Sequence, residues 1–98
     1  MNGEPAVVRH VFVEGRVQGV GYREFTRRRA LRLGISGWVR NRSDGTVEAL
    51  LRGAARDIEA ILTAMREGPR GARVANLRLL EPPAGDLEGA AFEVLATI

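Results

Sequence analysis

The residues best suited to chemistry lie in a glycine-rich stretch at positions 15–23, GRVQGVGYR. It follows a strand-like run of valines and precedes a run with helical spacing. Glycine adopts positive φ at little steric cost, so successive backbone N–H groups in such a loop can converge on one point. The start of the following helix adds partial positive charge at the same place. The stretch therefore has the chemistry of a cradle for an anion such as phosphate.

Arg23 falls in the first turn of that helix. Its planar guanidinium can donate two parallel hydrogen bonds to a phosphate. A cation at a helix N-terminus is unfavourable by roughly 0.3–1 kcal/mol, which favours an anion placed between the two. The simpler alternative is a tight turn with a surface arginine. Two common phosphate motifs are excluded, because the Gly-Lys-Ser/Thr of a Walker loop is missing and the glycine spacing differs from a dinucleotide fingerprint.

Asn41 is the second candidate for chemistry, within the segment WVRNRSDG at positions 38–45. It ends a predicted strand immediately before a turn. Its amide can both donate a hydrogen bond to a water molecule and accept one from it. An asparagine before a turn also commonly bonds its own backbone, and residue type alone favours that alternative.

Hydrophobic spacing predicts the elements that must hold these residues. In chain order they are a strand at 7–14, a helix at 22–33, strands at 37–42 and 46–52 joined by the turn 43–45, a helix at 55–67, a strand at 73–80 and a last strand at 92–96. This β-α-β-β-α-β order, with the last β region divided by a proline-containing loop at 81–89, is typical of a ferredoxin-like α/β sandwich. We therefore expect an α+β fold in which two helices cover one face of an antiparallel sheet. A single domain should span residues 1–98, with a loose tail at 1–5.

Composition narrows the chemistry further. The 98 residues are 45% hydrophobic and 28% charged, as expected for one globular domain. No apolar run reaches the roughly 18 residues of a membrane-spanning helix, and no secretory signal pattern opens the chain. The absence of cysteine excludes disulfides and thiol nucleophiles, so the cytoplasm is the expected location. All 15 basic residues are arginine, which excludes catalytic-lysine chemistry.

Positive charge is concentrated in residues 15–42, which hold eight arginines against one acid, a net +7. The remainder holds seven arginines against eleven acids, a net −4. A local positive field beside a negative remainder predicts an anionic ligand. The alternative is a solvated helix face, particularly for the run at 27–29.

The segment GRVQGVGYR and the later segment LGISGWVRNRSDGTVE together closely resemble the acylphosphatases. The resemblance implies a ferredoxin-like fold and hydrolysis of the carboxyl-phosphate bond of acyl phosphates by in-line attack of water. It implies that Arg23 binds the phosphate and that Asn41 positions the attacking water. The phosphate cradle that it implies consists of Arg16, Val17, Gln18, Gly19, Val20, Gly21 and Arg23. Tyr22 stands where the family usually has phenylalanine, and we expect no loss of activity from it.

The resemblance also sets the expected partners. The substrate is a small-molecule acyl phosphate and inorganic phosphate is a product. We expect a monomer without cofactor, metal, nucleic acid or membrane partner. One alternative is a module that binds phosphate without turnover. Another is RNA binding on the open face of the sheet, for which Phe12 is the main candidate ring and the usual aromatic signature is missing.

Overall fold

The structure is a computed structural model that describes residues 6–82 and 91–98. Its elements are β1 (Ala6–Arg16), α1 (Tyr22–Leu33), β2 (Ser36–Asn41), β3 (Val47–Ala54), α2 (Ala55–Glu67), β4 (Arg73–Leu80) and β5 (Phe92–Val94). The order matches the predicted β-α-β-β-α-β pattern with a divided last β region. The expected loose tail at 1–5, and most of the loop predicted at 81–89, lie outside the described residues.

The strands form one sheet in the order β4-β1-β3-β2-β5. β1 pairs antiparallel with both β3 and β4, and β2 pairs antiparallel with β3. These four strands and the two helices make the ferredoxin-like arrangement that the sequence predicted. The expectation of a wholly antiparallel sheet was wrong for β5, which pairs parallel with β2. The reason is topological: β4 runs opposite to β2, so a strand that reverses direction after β4 must run the same way as β2.

Both helices pack on one face of the sheet, and their apolar residues explain why. On α2 the buried side chains of Ile58, Ile61, Leu62 and Met65 recur at the spacing of one helical face. They join the core cluster that includes the strand residues Val11, Val13, Val39, Val47, Ala49 and Leu51. Among the described residues the helices have 12 and 13 residues, and neither is long and apolar enough to cross a bilayer.

The opposite face of the sheet carries no helix in the described part of the chain and is called the open face below. Side chains alternate between the two faces of a strand, so the neighbours of the core residues point to it. His10, Phe12, Trp38, Arg40, Glu48 and Arg78 belong to this face, as shown by their ring, ion-pair and hydrogen-bond contacts with one another.

The start of the glycine-rich stretch differs from its prediction as a loop. Gly15 and Arg16 continue β1 and pair with Val74 and Arg73, after an irregularity in the register that follows Glu14. Gly15 has φ +124°, and a Cβ there would collide with the carbonyl of Arg73. This first glycine is therefore required by the close approach of β4, and the loop proper spans residues 17–21.

Candidate active site

The loop at 17–21 connects the end of β1 to the start of α1. Val17 is buried in the core and Val20 packs against it, so two valines fix the loop to the body of the protein. Gly19 and Gly21 have φ +76° and +79°, a conformation that residues with a Cβ rarely adopt. An added Cβ at either position would meet no atom within 4 Å. Backbone conformation, and not lack of space, therefore requires glycine at both positions.

This conformation leaves a row of backbone donors available. The N–H groups of residues 19–24 donate to no other group in the described part of the chain. The first amide bonded in the helical pattern is that of Phe25, which donates to the Gly21 carbonyl at 3.0 Å. Gly21 occupies the N-cap position and has no side chain to cap the first turn. Free donors and the partial positive charge of a helix end are together suited to an anion.

Arg23 and Asn41 line the same pocket as these donors. The pocket has a volume of about 460 Å³ and is lined by Val17, Gly19, Gly21, Tyr22, Arg23, Glu24, Arg27, Asn41 and Val94. The fold brings its two halves together, because the first turn of α1 lies beside the end of β2. Arg23 comes from the helix and Asn41 is the last residue of the strand. The two residues assigned catalytic roles from the sequence are therefore neighbours across one cavity.

Neither of these polar side chains is engaged by a described residue. Arg23 has no ion pair or hydrogen bond with any residue in the described ranges. The Oδ1 atom of Asn41 is buried and has no hydrogen-bond partner there. The alternative that Asn41 Oδ1 accepts a bond from its own backbone is thus not what the structure shows. A buried polar atom without a partner is rare, which favours a role toward a bound molecule.

Gln18 has a supporting place in this arrangement. Its Nε2 atom donates to the carbonyl of Arg42 at 2.7 Å and to the carbonyl of Thr46 at 2.9 Å. These bonds tie the loop to the turn that follows Asn41. Gln18 therefore fixes the distance between the two halves of the pocket.

The remaining predicted cradle residues contribute in different ways. Val17, Gly19 and Gly21 line the pocket. Arg16 ends β1 with an exposed side chain, and the side chain of Val20 packs on the core. Neither of the latter two side chains lines the pocket as the structure describes it.

Glu24 and Arg27 also line the pocket, and the sequence interpretation did not select them. Arg27 donates to Glu24 through Nε at 3.0 Å and through Nη2 at 2.8 Å, and Arg28 donates through Nε at 3.1 Å. The hydrogen bonds from Arg27 and then Arg28 lower the pKa of the Glu24 carboxyl to about 2. A carboxylate beside the anion cradle is thus neutralised by two arginines. The i, i+3 and i, i+4 spacing was the signal for these pairs.

Tyr22 supports the site from below. Its ring is buried and its hydroxyl donates to the carbonyl of Met65 on α2 at 2.7 Å. Burial raises the pKa of this hydroxyl far above its ordinary value, so it stays protonated at neutral pH. The extra oxygen relative to phenylalanine is therefore used to join the two helices.

A cluster on the open face holds the strand that carries Asn41. Glu48 accepts hydrogen bonds from Arg40 Nε at 2.9 Å and Arg42 Nη1 at 3.1 Å, and lies 2.6 Å from His10 Nε2. Burial alone would raise the pKa of Glu48, but the hydrogen bonds with His10, Arg40 and Arg42 outweigh it and hold the pKa below its ordinary value. Arg40 and Arg42 flank Asn41, so the cluster fixes the end of β2.

Metal-ligating residues are not grouped in this region. Within residues 6–82 and 91–98, no set of three or more His, Asp or Glu side chains is close enough to hold a metal ion.

Comparison with known proteins assigns the chain to a family. The acylphosphatase family profile matches residues 9–94, almost the whole chain. The chain belongs to the acylphosphatase family. An acylphosphatase from Acidovorax sp. (strain JS42) is 47% identical over 93 residues, which cover 95% of this chain and 94% of the relative. Acylphosphatases are hydrolases, so the predictions of family, fold and enzyme class are confirmed.

Solved acylphosphatases have the same architecture. The structure of an acylphosphatase from Coxiella burnetii matches with a TM-score of 0.83 at 37% identity and covers 92% of this chain and 93% of its own. The acylphosphatase from Bacillus subtilis matches with a TM-score of 0.81 at 34% identity, covering 90% and 97%. These acylphosphatases span nearly the same length as this chain, so the likeness is one of whole folds.

Proposed function

We propose that this acylphosphatase hydrolyses acyl phosphates by direct attack of water on phosphorus. Arg23 and the N–H groups of residues 19–24 hold the phosphoryl group, and Asn41 orients the water. The observation that carries this proposal is that Arg23 and Asn41 line one pocket of about 460 Å³ together with Gly19, Gly21, Tyr22 and Glu24, whose N–H groups have no partner among the described residues. Family membership supports the same assignment.

The reaction needs few groups because its leaving group is a carboxylate. In R–CO–O–PO₃²⁻ + H₂O → R–COO⁻ + H₂PO₄⁻ the P–O bond to the acyl oxygen breaks, and the acyl oxygen leaves without protonation. Phosphoryl transfer proceeds through a loose transition state with charge on the peripheral oxygens. Fixed N–H donors and the forked guanidinium of Arg23 are suited to stabilise that charge without reorganisation.

Asn41 acts by positioning. An amide does not titrate, so it cannot serve as a general base. Its buried Oδ1 can accept a hydrogen bond from the attacking water and direct a water lone pair at phosphorus. One proton of the water passes to a phosphoryl oxygen and the other stays on the attacking oxygen, so the product leaves as dihydrogen phosphate. Ion-pair networks outside the pocket take no part in this step.

We extend the proposal to the domain organisation, oligomeric state, location and partners of the enzyme. We propose one domain over residues 1–98, acting as a cytoplasmic monomer on a small-molecule acyl phosphate, with inorganic phosphate as product. It would use no cofactor and bind neither nucleic acid nor membrane. A single unfolding transition, a solution mass of one chain and no shift of short RNA at low salt are the expected measurements.

The test is hydrolysis of benzoyl phosphate in the presence of chelator, followed by release of benzoate and phosphate. Wild type should be active and Arg23→Ala nearly inactive. Arg66→Ala, which removes an exposed arginine from the last turn of α2, is the matched control and should retain activity. Phosphate should raise the Tm of wild type but not of Arg23→Ala. A phosphate-induced rise in Tm without hydrolysis would assign the pocket to binding alone and overturn the proposal.

A further inference from the structure

A second pocket lies directly beside the first along α1. It has a volume of about 400 Å³ and shares Gly21 and Glu24 with the pocket that holds Arg23. Its other walls come from Phe25, Arg28, Arg29, Arg32 and Pro69. Because Gly21 and Glu24 border both spaces, the two pockets adjoin at the start of α1. Nothing in the hydrolytic step uses this second space.

The charge in the second pocket is unusual for a helix surface. Arg32 lies three residues after Arg29 and four after Arg28, so both of these arginines are its neighbours on one side of α1. Like charges at that spacing destabilise a helix by roughly 0.2–0.5 kcal/mol per pair. Arg29 and Arg32 form no ion pair with a residue in the described ranges, and Arg29 instead lies over the Phe25 ring at 5.1 Å. An anion between these guanidinium groups would relieve their repulsion.

Glu24 lies between the two pockets and is paired with one arginine from each. It binds Arg27, which lines the first pocket, and Arg28, which lines the second. The side chain of Arg28 is 73% exposed and that of Glu24 is 46% exposed. Ion pairs this exposed contribute at most about 1 kcal/mol. An incoming anion can therefore compete for Arg28 without a large cost to the fold.

We propose that the second pocket binds a negatively charged group on the acyl half of the substrate. The favoured substrates would then be acyl phosphates whose acyl part carries a second anion, such as a carboxylate. This inference rests on the proposed function, because the phosphoryl group in the first pocket places the acyl half beside Glu24. Arg28 and Arg29 lie about 9 and 10.5 Å along the helix axis from Tyr22, at 1.5 Å per residue, a distance that a short acyl group can span.

The test compares benzoyl phosphate with 4-carboxybenzoyl phosphate, a rigid probe that carries its second anion at the far end of the ring. For wild type at low salt, kcat/KM should be roughly threefold to tenfold higher for the carboxylated substrate. Added salt should reduce this preference, because exposed charges are screened. In Arg29→Gln/Arg32→Gln the preference should fall to about one, while kcat/KM for benzoyl phosphate stays unchanged.

A matched variant separates a local site from the general positive field. Arg52→Gln/Arg78→Gln removes the same charge from the open face, on strands β3 and β4, and should keep the wild-type preference. Equal loss of preference in both double variants, or no preference in wild type, would overturn the inference while benzoyl phosphate hydrolysis upholds the proposed function. Failure of wild type to hydrolyse either substrate would instead contradict the proposed function itself.

Discussion

Two charged regions lie on either side of the strand end that carries Asn41, and they differ in how their polar groups are satisfied. On the open face, the carboxylate of Glu48 meets His10, Arg40 and Arg42 at 2.6–3.1 Å. In the pocket, Arg23 and the amides of residues 19–24 have no partner in the described part of the chain. Both regions draw their arginines from the same stretch of high positive charge.

This difference distinguishes charges that stabilise the fold from charges that we propose bind the substrate. Leaving a buried polar group without a hydrogen bond costs about 1–3 kcal/mol, so folded proteins retain few such groups. The buried Oδ1 of Asn41 is one of them, and it borders the pocket. The other among the described residues is Arg42 Nε, which belongs to the Glu48 cluster and lies 3.7 Å from Asp44 Oδ2. The Glu48 carboxylate itself meets three basic side chains and has little capacity left for a ligand. The positive charge of residues 15–42 predicted an anionic ligand but not its position. The polar groups without partners at the pocket are what point to a position for it.

Replacing Arg23 should have the largest effect on function and almost none on stability. In Arg23→Ala, kcat/KM for benzoyl phosphate should fall by about 10³-fold or more, since a charged donor to the transferred group is lost. Arg23→Lys should also fail, because a point charge cannot donate the forked pair of hydrogen bonds. The Tm should not fall, since no described residue depends on Arg23. Steady-state kinetics measure the expected loss of kcat/KM, and thermal unfolding measures the Tm. A large drop in Tm would show that Arg23 is structural.

Replacing Asn41 should lower the catalytic rate without weakening phosphate binding. Asn41→Ala should lower kcat by about 10²-fold, through loss of water positioning, and leave the inhibition constant for inorganic phosphate nearly unchanged. Arg23→Ala is the contrasting variant, because it should weaken phosphate inhibition as well. An equal loss of phosphate affinity in the two variants would contradict the separate roles.

Replacing Glu48 should give the reverse pattern, with stability lost and chemistry retained. Glu48→Gln leaves Arg40 without a counter-charge and Arg42 with only the exposed Asp44, 3.7 Å away. We expect a loss of about 2 kcal/mol in the free energy of unfolding. Because Arg40 is 22% exposed and Arg42 33%, solvent limits the loss. Glu59→Gln, at an exposed site on α2, is the control and should change little. A kcat loss comparable to that of Asn41→Ala would contradict this pattern and show that Asn41 depends on Glu48 for its position.

The difference in stability between wild type and Glu48→Gln should become smaller at acid pH. The pKa of Glu48 is lower in the folded protein than its ordinary value of about 4.5. Its ionised form therefore stabilises the fold fully above that value, and the contribution disappears as the pH falls through the folded-state pKa. The difference in Tm between wild type and variant should be largest near neutral pH and shrink below pH 4.5. A constant difference across this range would contradict a stabilising role for the charge.

The sequence predicted best what local patterns determine. The bounds of both helices agree with the structure, because the hydrophobic spacing of α2 is regular and glycines at 34 and 68 end the helices. Distant pairing was not predictable in the same way. Gly15 belongs to β1 only because β4, more than fifty residues later in the chain, approaches it. The direction of β5 depends equally on a strand elsewhere in the sheet.

The candidate site shows the same difference between local sequence patterns and contacts made by distant segments. The loop and Arg23 carry a local signature, since glycine spacing and a helix start are both visible in the sequence. The residue type of Asn41 favoured a bond to its own backbone, and only the arrangement of α1 beside β2 brings it to the pocket. Glu24 and Arg27 were visible as a helical ion pair, but their place on the pocket wall depends on which side of α1 faces the end of β2.

Tyr22 gives the smallest predicted effect, and it tests the comparison within one residue. It borders the pocket, while its buried hydroxyl bonds the other helix. Tyr22→Phe removes the bond to the Met65 carbonyl and should cost about 1 kcal/mol of stability. The ring remains in place, so kcat and KM for benzoyl phosphate should stay within twofold of wild type. Thermal unfolding and kinetics on the same preparation measure the two effects together. A lower kcat with unchanged Tm would show that the hydroxyl acts on the substrate and belongs with Arg23 and Asn41.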